Sequence, residues 1–240
     1  MRFFLVTAAL FISATQAEAR TVLLDNFDDE ASGNSVARYQ NFRNFTVSFG
    51  LIDLVGRTNP SGLACAGSTG SCVNLSSARA ATFNELTTGD TFNFRAGDLV
   101  RLMVDVSTQT TGSTFNFGFV FDRPTNLSDI VYNYQVGGPT PLISGIYNVL
   151  FVGRGLEANR PFTSTTFTFR ARDSGSFTAN ISGSSRSPFG PVIDNFQLDI
   201  ISSAVPEPSI WLTMLVGFAA IGATMRSRRK HGYNKAILRA

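Results

Sequence analysis

The chain has 240 residues, 15% of them charged, and a formal net charge of +3. The excess of base is confined to the ends, because the stretch 20–204 carries 13 arginines against 15 acidic residues, a formal charge of −2. That balance offers no basic face for nucleic acid, and the lack of His and Lys in the same stretch excludes His- and Lys-dependent nucleophiles and His-ligated zinc.

From the N-terminus, Arg2 precedes an apolar run over residues 3–14, followed by Ala17-Glu18-Ala19. A basic start, an apolar core of about a dozen residues and an A-x-A site define a secretory signal peptide over residues 1–19. The Sec translocon and signal peptidase are the partners this implies. The 185 residues from Arg20 to Ala204 suit one domain with a sizeable core.

Alternating apolar and polar residues mark strands in that domain. Residues 99–106 place Val100, Leu102, Val104 and Val106 on one face. Residues 114–121 do the same with Phe115, Phe117, Phe119 and Phe121, residues 165–172 with Phe167, Phe169 and Ala171, and residues 192–201 with Phe196, Leu198 and Ile200. Further strands are expected at 21–24, 45–55, 91–94, 130–135, 145–152 and 176–182, separated by turn signals such as Gly-Asp at 89–90 and Asp-Ser-Gly at 173–175. Many short strands at such spacing, with no helical stripe between them, predict an all-β fold, an antiparallel β-sandwich of jelly-roll-like form.

Two cysteines, Cys65 and Cys72, bracket CAGSTGSC. In an exported chain this short, flexible loop suits a disulfide, stabilising by about 2.5 kcal/mol in the chain-entropy model. The alternatives are two free thiols or half of a metal site.

Acidic residues cluster after the first strand, at Asp25, Asp28 and Asp29, and Asp194 lies in the last strand. First and last strands of sandwiches often lie side by side, so these carboxylates are expected to converge. Hard oxygen donors of that kind suit calcium, the one cofactor considered. The competing reading is an acidic loop plus a buried Asp bonded to backbone amides. Tyr132 and Tyr134 share a strand face and are candidates for stacking on sugars, or for packing in the core. The segment GPVIDNFQLDI weakly resembles the closing strand of carbohydrate-binding jelly-roll modules, too briefly to assign any binding residue.

Beyond Ile201 the character changes. Val205-Pro206-Glu207-Pro208 holds the chain extended. Residues 209–225 follow as 17 residues without charge, about 25 Å as a helix and just long enough for a thin bilayer. Trp211 suits the outer interface, and the basic cluster Arg226, Arg228, Arg229 and Lys230 would stay on the cytoplasmic side, with residues 231–240 as a cytoplasmic tail.

This arrangement over residues 205–230 resembles the PEP-CTERM sorting signal of Gram-negative bacteria. The resemblance implies that Pro206, Glu207 and Pro208 are recognised by an exosortase, a membrane-embedded cysteine transpeptidase-like enzyme. It implies passage through the inner membrane to the cell surface or extracellular matrix, and association with exopolysaccharide. The expected function is therefore non-catalytic, that of a surface or matrix protein. A calcium-stabilised carbohydrate-binding module and a two-carboxylate polysaccharide hydrolase are the alternatives.

Overall fold

The computed structural model describes residues 19–57, 62–68, 70–76, 83–134, 143–202, 214–222 and 226. The signal peptide up to residue 18, the Val205–Pro208 motif, Arg228, Arg229, Lys230 and the tail 231–240 lie outside the described residues. The chain divides into two units, residues 19–203 and the two ends. In the latter, residues 214–222 and 226 are helical, with Met214, Leu215, Val216, Phe218 and Ile221 exposed. No helix among the described residues is long and apolar enough to cross a membrane; both ends of the expected span lie outside them.

The larger unit is all-β. Its strands are β1 (Ala19–Asp25), β2 (Phe45–Phe49), β3 (Asp53–Val55), β4 (Cys72–Asn74), β5 (Phe83–Thr88) and β6 (Phe92–Phe94), then β7 (Leu99–Thr108), β8 (Ser113–Tyr134), β9 (Ile143–Leu156), β10 (Arg160–Ala171), β11 (Gly175–Ser184) and β12 (Val192–Ile201). They form one antiparallel sheet in the order β2-β5-β11-β8-β10-β7-β12-β4-β3, with β1 on β12, β6 on β11 and β9 on β8. The first and last strands do lie side by side, with Ala19 opposite Ile201 and Asp25 opposite Phe196.

The sheet curls over through β8. Its first half, up to Phe121, pairs with β11, and its second half, from Leu127, pairs with β10. One long strand thus serves two layers, with its register against β9 broken between Val120 and Thr125. The layers meet through phenylalanines. Phe119 of β8 lies 5.3 Å from Phe167 and 5.1 Å from Phe169 of β10, and Phe45 of β2 lies 5.1 Å from Phe196 of β12. Every residue expected on the inner faces of β7, β8, β10 and β12 is buried. The alternation produced this core, and each offset or edge-on ring pair adds about 0.5–1.5 kcal/mol to its burial.

Beyond shifts at strand ends, as in β1, β9 and β10, the strands differ from expectation in three places. The stretch 45–55 is two strands, because Gly50 turns at φ +77° and Asn84 Oδ1 accepts the Leu51 N–H, sending β2 to β5 and β3 to β4. Residues 114–121 and 130–134 belong to a single strand that runs through Pro124 at the register break, and residue 135 of the expected strand lies outside the described residues. β4 and β5 carry no apolar alternation: β5 turns Asn84, Leu86 and Thr88 inward, and Asn84 is satisfied by Leu51 N–H and Leu75 C=O.

Candidate functional site

A bulge in β12 sets the site. Asp194 pairs with Asp105 and Gln197 with Met103, so Asn195 and Phe196 together face the single residue between them on β7. Asn195 takes φ +51° to do this. The extra residue lets Ile193 and Phe196 both reach the main core, while Asp194 joins Val192 on the opposite side.

There the cysteine loop covers them. Cys65 and Cys72 are bonded, Cα to Cα 5.4 Å, and pack in a second apolar cluster with Val55, Leu63 and Val192. Two carboxylates from opposite ends of the sequence of this domain hold the loop. Asp194 Oδ2 accepts the N–H of Ala66, next to Cys65, at 3.0 Å. Asp28 Oδ1 accepts the N–H of Ser71, next to Cys72, at 2.8 Å. Asp28 reaches the loop because β1 lies against β12 and the chain turns just after it. Gly70, at φ +80°, is required there: a Cβ would overlap the Asp28 carboxylate.

The Asp194 carboxyl is pushed up to about 7. Burial is the main cause, and the nearby charges of Asp28 and Asp105 add to it, against the lowering effect of the Asn195 and Ala66 N–H groups. Asp28 and Asp105 thus lie near enough to Asp194 for their charges to be felt. Beside them the Ser71 hydroxyl is buried without a hydrogen-bond partner. Among the described residues no three carboxylates bring their oxygens within 4.8 Å of one another, as holding one hard cation together would need.

The other two acids named from the sequence lie elsewhere. Asp25 accepts the Phe27 N–H at 2.7 Å and the Asn44 amide at 2.9 Å, and burial raises its pKa. Asp29 is exposed and pairs with Arg43 at 3.3 Å. Glu30, buried between them, accepts Tyr39 OH and Arg43 N–H, and so ties down the loop after β1. Asp105 and Ser71 were missed by sequence reasoning. Only the pairing of β7 with β12 brings Asp105 in, and Ser71 looked like one more small residue of the loop.

Next to the disulfide an open cleft of about 440 Å³ is lined by Leu63, Cys65, Thr108, Gln109, Phe162 and Val192, among others. A separate patch lies on β2 and β5, where Phe49 and Phe83 are 58% and 41% exposed with ring centres 6.0 Å apart. Beside it Ser48 Oγ donates to Glu85 Oε1 at 2.8 Å and accepts from Thr87 Oγ1 at 2.9 Å. Tyr132 instead packs in the core, 6.0 Å from Phe117 and 6.4 Å from Phe167. The side chain of Tyr134 lies outside the described residues.

No protein-family model matches the chain, and no curated protein matches it in sequence. Among solved structures it is similar to the enzymatically active domain of bacteriophage CBA120 tailspike protein 4, at 14% identity and TM-score 0.43, over 68% of this chain and 20% of that one. It is also similar to the CBM22-1–GH10 modules of Clostridium thermocellum endo-1,4-beta-D-xylanase 10B complexed with xylohexaose, at 15% identity and TM-score 0.39, over 77% of this chain and 29% of that one. The chain thus spans less than a third of the length of either structure.

Proposed function

We propose that this chain is an exported, non-catalytic surface or matrix protein, delivered by its signal peptide and sorted by an exosortase through residues 205–208. Its β domain is a jelly-roll sandwich. The strand order supports that form, since the layers β1-β12-β7-β10 and β5-β11-β8-β9 interleave early and late strands as two Greek keys do.

One observation carries the non-catalytic reading. The carboxylates that come together, Asp28 and Asp194, spend their oxygens on the amides flanking the two cysteines. A two-carboxylate hydrolase needs such a pair facing an open substrate channel. Here Asp194 is buried beneath the loop and Asp28, at the surface, holds the loop's other end, so the two line no shared open channel. Exopolysaccharide is the surrounding that the sorting tail implies.

The test of the sorting half is Glu207→Ala in the full chain. Export and membrane insertion persist, and processing of the C-terminal tail stops. Wild-type processing of this variant would remove the exosortase assignment.

The exposed Phe49–Phe83 pair favours a second reading, a calcium-stabilised carbohydrate-binding module. Paired exposed rings beside a hydroxyl and a carboxylate match the amphipathic surface of a sugar. Glycan binding by the full chain, with calcium and then with EGTA, separates the two readings. Saturable binding that Phe49→Ala abolishes supports the module, and binding lost in EGTA adds the cation to it. No binding in either buffer leaves the matrix reading.

A further inference from the structure

Asp194 does more than hold the loop. One of its carboxylate oxygens and the sulfurs of Cys65 and Cys72 all lie within 4.8 Å of one another, and all three residues are buried. The Cα atoms of the two cysteines are 5.4 Å apart, and the bonds from Asp194 to Ala66 N–H and from Asp28 to Ser71 N–H fix the backbone beside each sulfur independently of the S–S bond. The cleft beside the loop has Cys65 in its lining, which brings small solutes up to that residue.

We propose that reduction converts this disulfide into a site for one soft divalent cation of the zinc class, with Cys65, Cys72 and Asp194 as ligands. The steps balance. A small dithiol delivers two electrons and two protons to the S–S bond and leaves as its own disulfide, so that Cys65 and Cys72 become thiols. The cation then forms two metal–sulfur bonds and releases both thiol protons to solvent. Asp194 supplies the third ligand and water the fourth, the three-plus-one pattern of an open zinc site. Two thiolates select a soft cation over calcium or magnesium, whose sites are built from oxygen alone. The loop is therefore closed by a covalent bond in its oxidised form and by a metal in its reduced form. This inference is independent of the sorting reading and of the Phe49–Phe83 patch, which concern other residues; it shares only Asp194 with the calcium expectation.

The experiment uses the full chain in detergent, with Cd²⁺ as the probe and the ultraviolet sulfur-to-cadmium charge-transfer band as the readout. Far-ultraviolet circular dichroism is recorded alongside. The reduced wild-type chain, still β-folded, is expected to take one Cd²⁺ with a full band, and the oxidised chain none. Cys72→Ser should reduce the band to at most half and loosen binding at least a hundredfold. Asp194→Asn should keep both thiolate bonds but weaken affinity by about 10-fold or more. Asp29→Asn, at an exposed residue that pairs with Arg43 and makes no contact with the cysteine loop, should leave stoichiometry and band unchanged. A reduced wild-type chain that shows no band, that loses its β signal, or that binds equally tightly as Asp194→Asn overturns the proposal.

Discussion

The domain has two apolar clusters built on different logic. The main one is a continuous stack of phenylalanines from β8, β10 and β11 with aliphatic residues from β7 and β12. The smaller one, beneath the cysteine loop, has five buried residues and is fastened by a disulfide and two carboxylates. The first is held by area removed from water, which is non-directional and tolerant of detail. The second buries little area and depends on individual polar contacts made between residues 43 and 128 positions apart. Bulk burial therefore fixes the layers, and a few directed bonds fix the loop that carries the candidate chemistry.

The largest effect is expected where the comparison is most one-sided. Phe119 is buried and touches Phe167, Phe169 and Phe177. Phe119→Ala should cost about 3–5 kcal/mol, combining lost transfer energy and a cavity. Urea unfolding of the variant should show this as a lower midpoint with an unchanged slope. A cost under about 1 kcal/mol would mean that the layers do not meet at this ring.

Gly70→Ala probes the other logic. The new Cβ displaces Asp28 from Ser71 N–H and strains a positive φ. The loss should be about 1–3 kcal/mol, the scale of one buried donor left without its partner. It should also be local, raising amide exchange at Ser71 and Ala66 and leaving the β7 and β8 amides protected. Global loss of protection would show that the two clusters form one cooperative unit.

The same contrast explains what was legible in the sequence. Period-two runs of large apolar residues gave β7, the first half of β8, β10 and β12 with their inner faces, because each run is decided by its own residues. The splitting of 45–55 and the whole of β5 were not legible, since both depend on Asn84, an inward polar residue whose partners lie 9 and 33 positions away. At the site, the meeting of Asp28 and Asp194 was legible from the expected adjacency of first and last strands. The roles of Asp105 and Ser71 were not, because a bulge at Asn195 and a loop fold decide them. Asp25 and Asp29 looked equivalent to Asp28 in the sequence, and the turn after β1 sends the three side chains to three different environments.

The finest test compares two aspartates five positions apart on β12. Asp194 is pushed up to about 7, chiefly by burial, with Asp28 and Asp105 adding to it. Asp199 is buried too, but hydrogen bonds from Gln197, Thr21 and Arg101, with the Arg101 charge, hold it below the ordinary carboxylate value. The signs follow from which state binds more protons. Between pH 4 and 7 the folded chain holds a proton on Asp194 that the unfolded chain has released, so Asp194 contributes stability that is lost as pH rises to about 7. Asp199 does the opposite: its contribution is present above pH 4 and is lost as pH falls below that. Urea unfolding of the oxidised chain in EGTA should therefore show stability declining from pH 4 to 7. Asp194→Asn should flatten this limb to the residue left by Asp25 and Asp53, whose pKa values burial also raises. The acid limb below pH 4 should remain in that variant and shrink in Asp199→Asn. If Asp194→Asn leaves the slope between pH 4 and 7 untouched, then Asp194 is ionised in the folded chain at pH 5, and the N–H of Ala66 is held by a full charge rather than by a neutral carboxyl.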